Sequence, residues 1–119
     1  MQLRCVLVDD DERFLSAAQS LLEQDGLTVA DVATNCAEAI QRVEMLRPDV
    51  VLIDIRLGEE SGFGAARHLA ASGQSATLIM ISARAETDYP DLIVESPVTG
   101  FMPEAELSAA AMRRILGTN

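Results

Sequence analysis

The chain has 119 residues, 49% hydrophobic and 24% charged, and its 19 acidic against nine basic side chains give a net charge of −10. That length suits one domain with a real core, the charge opposes nucleic acid and anionic membrane, which bind through neutralised phosphates, and no apolar run approaches the roughly 20 residues of a membrane helix. Strand-like residues begin almost at Met1, without the basic region, apolar stretch and cleavage site of a signal peptide, so a cytoplasmic protein is expected.

Five short apolar, β-branched runs read as strands: LRCVLV (3–8), LTVADVAT (27–34), DVVLI (49–53), TLIMIS (77–82) and VTGFM (98–102). Amphipathic helices separate them. Phe14, Leu15, Ala18, Leu21 and Leu22 share a stripe after the first strand, Ile40, Val43 and Leu46 after the second, Ala66, Leu69 and Ala70 after the third. Asn35 with Glu38 resembles a capping box, and Arg47 with Pro48 ends that helix. Over 86–96 the pattern is weak and Pro90 interrupts it, which predicts a mobile or irregular fourth helix. A last helix is expected from about Glu104 to Leu116, with Leu107, Ala111 and Ile115 along one stripe. Cys5 and Cys36 lack a metal-ligand pattern and read as free thiols; His68 reads as a surface residue.

Regular strand–helix alternation predicts a parallel sheet with both faces covered and right-handed crossovers. Such a sheet gathers its carboxyl ends along one edge, where open α/β sheets place ligands. The residues delivered there are Asp9, Asp10 and Asp11, then Thr34, Asp54, Ser82 and Glu104. Several have a structural role open to them: Asp11 as a helix N-cap that Asp10 could share, Asp9 as a cap or solvated residue, and Ser82 as a partner for a strand-end backbone group; Phe101 and Met102 nearby would ordinarily be core. In the commonest small five-stranded order the first and third strands are neighbours, bringing Asp9 and Asp10 near Asp54. Three packed carboxylates either take up protons or bind a cation, and oxygen-only ligands favour Mg²⁺, which also recruits phosphate oxygens.

Four segments, "VLVDDD", "DVVLIDIRLGEESG", "MISA" and "GFMPE", carry a wider likeness. Together they resemble the receiver domain of bacterial two-component response regulators, over essentially the whole chain, so that one receiver domain over 1–119 is expected. The resemblance implies an α/β, flavodoxin-like (βα)5 three-layer sandwich with its parallel five-stranded sheet in the order 2-1-3-4-5. It implies that Asp54 accepts a phosphoryl group from a phosphohistidine on a sensor histidine kinase. Asp10 and Asp54 would hold Mg²⁺ directly, Asp9 mainly through water, and the backbone carbonyl of Arg56 would add an oxygen. Ser82 matches the hydroxyl residue and Phe101 the aromatic of the family's switch. That switch alters a protein-interaction surface for a downstream partner; the domain is not itself an enzyme, and homodimers through helix 4, strand 5 and helix 5 are known in the family.

The chain departs from the family pattern at Glu104, where a phosphate-contacting Lys is usual, and at Gly58, where Pro is usual. Like charges about 4 Å apart repel by roughly 4 kcal/mol at an effective dielectric of 20, unless the Glu side chain rotates into water. Arg84, two residues beyond Ser82, is a candidate to reach the pocket, or a solvated surface cation. Two readings of one fold follow: Mg²⁺-dependent phosphorylation of Asp54, or a pseudo-receiver whose contacts ignore phosphate. A haloacid-dehalogenase-type phosphatase would want a second Asp at the position of Arg56, and "DDDERF" would repel a flavin phosphate. If Asn119 is the natural end, output passes by protein contact; a piece of a longer protein fits the sequence equally.

Overall fold

The computed structural model describes residues 3–82 and 98–117. Strands β1 (Arg4–Val8), β2 (Thr28–Ala33), β3 (Val50–Asp54), β6 (Thr77–Ser82) and β7 (Gly100–Pro103) form one parallel sheet in the order β2-β1-β3-β6-β7. Strands β4 (Arg56–Leu57) and β5 (Glu60–Ser61) pair separately as a small antiparallel ribbon. Counting the main sheet alone, the order is the expected 2-1-3-4-5.

Helices α1 (Glu12–Gln24), α2 (Cys36–Leu46), α3 (Gly62–Ala71) and a C-terminal helix (Ala109–Leu116) complete three layers. On one face of the sheet Leu7, Leu52 and Ile79 pack with Leu15 and Leu22 of α1 and Met112 of the C-terminal helix. On the other, Val8, Ile53 and Met80 meet Val43 of α2 and Phe63 and Leu69 of α3. Both faces are dry, which is why the strands read as continuous apolar runs; each fully buried Leu or Ile contributes about 1.5–3 kcal/mol.

The helix starts follow from their caps. Asp11 Oδ1 accepts from Arg13 N at 2.9 Å and Phe14 N at 3.4 Å, and Asn35 Oδ1 accepts from Glu38 N at 2.9 Å. Glu38 reaches back one residue further than a standard capping box, accepting from Thr34 N at 2.9 Å and Thr34 Oγ1 at 2.8 Å. Those two bonds hold its carboxyl below the usual range.

Three expectations need correction. The last helix begins at Ala109, not Glu104: Glu104–Glu106 form a 3-10 turn, Leu107 is extended, and Ser108 Oγ caps the helix by accepting from Ala111 N at 3.0 Å. Its buried face is accordingly Ala109 and Met112 with Ala111, and Leu107 is buried from outside it. Leu21 is 41% exposed, and Ala70 also faces solvent. His68 is exposed and both cysteines are free thiols, as expected. The expected fourth helix over 86–96, and Arg84, lie outside the described residues.

Candidate functional site

The register of β1 against β3 pairs Val8 with Ile53, so the next residue of each strand, Asp9 and Asp54, emerges side by side at the carboxyl edge. Asp10 follows immediately. Asp9, Asp10 and Asp54 each present a carboxylate oxygen within 4.8 Å of the other two. Burial is graded across the group: Asp9 is 2% exposed, Asp54 half-buried, Asp10 open to solvent.

Two backbone donors stabilise these charges directly: Asp11 N donates to Asp9 Oδ1 at 2.8 Å and Arg56 N to Asp54 Oδ1 at 3.3 Å. Among the described residues the one ion pair, Arg42 with Asp31 at 3.0 Å, joins α2 to β2 instead. Burial pushes the Asp9 carboxyl up to about 7; the Asp11 N–H opposes this, and the charges of Asp54, Glu104 and Asp10 add to it. Burial likewise pushes Asp54 up to about 6, opposed by the Arg56 N–H and reinforced by Asp10 and Glu104. Near neutral pH the cluster therefore competes for protons or cations. Its all-oxygen composition and the spacing of its oxygens fit Mg²⁺.

The neighbouring strands bring the other expected residues to the same edge. Asp54 pairs with Ile81, so Ser82 stands one residue further out on β6, and it is 5% exposed. Phe101 pairs with Met80, one pleat behind Ser82, and packs partly buried against the α2/α3 side of the core. Glu104 opens the 3-10 turn after β7 and is half-buried in a groove of about 410 Å³ with Phe14, Leu21 and Leu107. It is partly withdrawn from solvent: its charge is felt by Asp9 and Asp54, and burial, then Asp11, pushes its own carboxyl up. The side chain of Arg56 is exposed, and it is the backbone of this residue that meets the site.

Two glycines had no assigned role in the site. A β-carbon on Gly62 would lie 1.9 Å from the carbonyl oxygen of Asp54, so only glycine lets α3 start this close to the acidic residue. The available signal was a glycine placed where a helix begins and a better helix former would otherwise serve. Gly58 has φ +62, a conformation closed to proline, so the loop here takes a path that the usual Pro could not follow.

The response regulator receiver domain family matches residues 5–103. The chain belongs to that family. Curated relatives of this receiver include the DNA-binding transcriptional activator EvgA of Escherichia coli, 26% identical over 87% of this chain and 51% of its own length. The response regulator GacA of Pseudomonas viridiflava is 27% identical over 84% of this chain and 47% of its own. The chain thus spans about half the length of these relatives. In structure the receiver is similar to a two-component response regulator of the LuxR family from Aurantimonas, with TM-score 0.86, 23% identity and coverage of 100% of this chain and 89% of the other. A CheY-like receiver domain protein from Methanospirillum hungatei gives TM-score 0.81 at 19% identity, covering 98% and 93%. These likenesses establish the flavodoxin-like fold of the receiver, and membership places it in two-component signalling.

Proposed function

We propose that residues 1–119 act as a cytoplasmic receiver whose Asp54 accepts a phosphoryl group from a phosphohistidine of a partner sensor kinase. The observation that carries this reading is the convergence of Asp9, Asp10 and Asp54 within 4.8 Å at one strand edge. Asp10 and Asp54 would hold Mg²⁺, Asp9 would act mainly through water, and the Arg56 carbonyl would add an oxygen. When bound, the ion neutralises charge on the transferring phosphoryl oxygens. Ionised Asp54 is the nucleophile: a carboxylate oxygen bonds to phosphorus, the phosphorus–nitrogen bond of the donor breaks, and its electron pair returns to the imidazole. The Arg56 N–H on Oδ1 keeps the carboxylate oriented while this occurs.

Ser82 and Phe101, on one face of adjacent strands, are suited to relay the new charge to the surface around β7 and the C-terminal helix. That surface would serve a downstream protein or a second copy of the chain; helix 4, the remaining part of the expected dimer face, lies outside the described residues. The net charge of −10 argues against nucleic acid as this domain's own ligand, and no described helix is long and apolar enough to cross a membrane. The pseudo-receiver alternative rests on Glu104 alone, and the converging acids give it no support.

Intact mass after incubation with Mg²⁺ and a small phosphodonor tests the assignment. One added phosphoryl group is expected on the natural chain and none on Asp54→Asn. An unchanged mass for the natural chain overturns the proposal.

A further inference from the structure

We propose that Glu60 is a positioning residue of the Asp54 site, acting by clamping the β4–β5 ribbon onto the first turn of α2. The inference rests on the reading above only for what the site does; the clamp itself is a matter of local structure.

After Asp54 the chain does not run as an open loop. Ile55 N donates to Ile81 O at 3.0 Å, then Arg56 pairs with Ser61 and Leu57 with Glu60. Gly58 and Glu59 make the two-residue turn, with φ +62 at Gly58 and no positive φ at Glu59, the pattern of a type II′ hairpin. The base of the ribbon is pinned: Gly62 N donates to Ile55 O at 2.7 Å, Ser61 Oγ accepts from Phe63 N at 3.1 Å, and Leu57 is buried among the residues beneath α2 and α3.

Its outer part is held from elsewhere. The exposed Glu60 reaches α2, where Oε1 accepts from Cys36 N at 3.1 Å. The amides of a first helical turn lack intrahelical partners and favour a negative acceptor. At this helix each acceptor has a separate amide: Asn35 takes Glu38 N, Glu38 takes Thr34 N, and Glu60 takes Cys36 N. The ribbon so fixed bonds to one of the three acids and passes beside a second. Arg56 N holds Asp54 Oδ1, and a β-carbon on Gly58 would sit 3.8 Å from Asp10 Oδ2. Partners of this kind set how firmly metal-binding groups are oriented, and losing one typically weakens metal affinity about 10–100-fold. An exposed anchor acting through a ribbon has a smaller expected effect.

Because a negative Glu60 also attracts cations at long range, the test must separate charge from contact. Mg²⁺ affinity by calorimetry and hydrogen exchange of the Arg56 amide in metal-free protein are compared for the natural chain, Glu60→Ala, Glu60→Gln and Glu60→Asp. Gln keeps an acceptor oxygen without the charge; Asp keeps the charge without the reach. The clamp predicts that Ala and Asp weaken Mg²⁺ binding about 3- to 10-fold and speed Arg56 exchange, while Gln stays within about twofold of the natural chain. Natural affinity in Asp with Ala-like weakness in Gln would assign the effect to charge and overturn the proposal. Unchanged Arg56 exchange in Glu60→Ala would overturn it as well. If the natural chain binds no Mg²⁺, the proposed function fails while the Arg56 exchange rates still decide the clamp.

Discussion

The two ends of the central sheet treat charge in opposite ways. At the amino edge Arg4 and Asp49 both find partners: Arg4 N donates to Asp49 Oδ2 at 2.9 Å, and Arg4 Nη1 donates to Leu46 O at 2.9 Å and Arg47 O at 3.4 Å, closing the carbonyl end of α2. At the carboxyl edge the same strands deliver Asp9, Asp10 and Asp54 with two backbone N–H donors to the cluster and no cation beside them among the described residues. Carboxylates gathered without a cation, beside an edge where Arg4 and Asp49 are partnered, are the feature on which the proposed Mg²⁺ site rests.

The largest expected effect is on stability without metal. Asp9 and Asp54 titrate at about 7 and about 6 in the folded chain against 3.8 for an ordinary carboxyl. Between pH about 4 and 7 the folded state therefore holds protons that the unfolded chain has released. Stability from these groups is complete below pH about 4 and is lost as pH rises through the folded values, by several kcal/mol in total. Urea unfolding across this range should show that decline, and saturating Mg²⁺ should abolish most of it near pH 7. Asp9→Asn should flatten the metal-free profile while weakening Mg²⁺ binding. A metal-free profile that rises over pH 4–7 would erase the contrast between the two edges.

Much of this contrast was legible in the sequence because it lies at strand ends. A strand buried on both faces must be apolar throughout, so "VVLID" announces both the strand and the residue that leaves it. Asp11 and Asn35 declared their helices through cap chemistry that operates within three residues. The C-terminal helix was read as starting too early because Leu107 sits at helical spacing from Ala111 although its backbone is extended, and the Ser108 cap was the better guide. The ribbon was not legible at all. Its contacts depend on the fold bringing Glu60 to Cys36 across 24 positions, and the need for glycine at 62 arises from the Asp54 carbonyl, a backbone group that no side-chain pattern reports.

A smaller effect is expected at the amino edge. Arg4→Met removes the two Nη1 bonds to the end of α2 and keeps the apolar stem, which should cost about 1–2 kcal/mol. Because the backbone bond to Asp49 survives and no acidic cluster is involved, the loss should be the same at pH 5 and pH 7 and with or without Mg²⁺. Unfolding midpoints measured under those four conditions check it. A change in Mg²⁺ affinity in this variant would show that the edges are coupled through the strands.

The finest test concerns Glu104, whose charge reaches Asp9 and Asp54 from the far side of the pocket. Since this side chain is only half-buried, solvent screening should leave its repulsion well below the roughly 4 kcal/mol of a close pair, at about 1 kcal/mol or less. Glu104→Gln removes that repulsion and Glu104→Lys replaces it with attraction. The Asp54 carboxyl, followed by carbon NMR, should therefore titrate lower in Gln than in the natural chain and lower again in Lys. Mg²⁺ affinity should weaken a few-fold along the same series, because each step makes the pocket less negative, whereas phosphoryl labelling of Asp54 should rise, because the incoming group is itself an anion. The opposite signs matter: a general loosening of the site would depress both. If Gln and Lys behave alike, relief of repulsion is the whole effect and an ammonium here adds nothing; if neither moves Asp54, the charge at residue 104 does not govern the site.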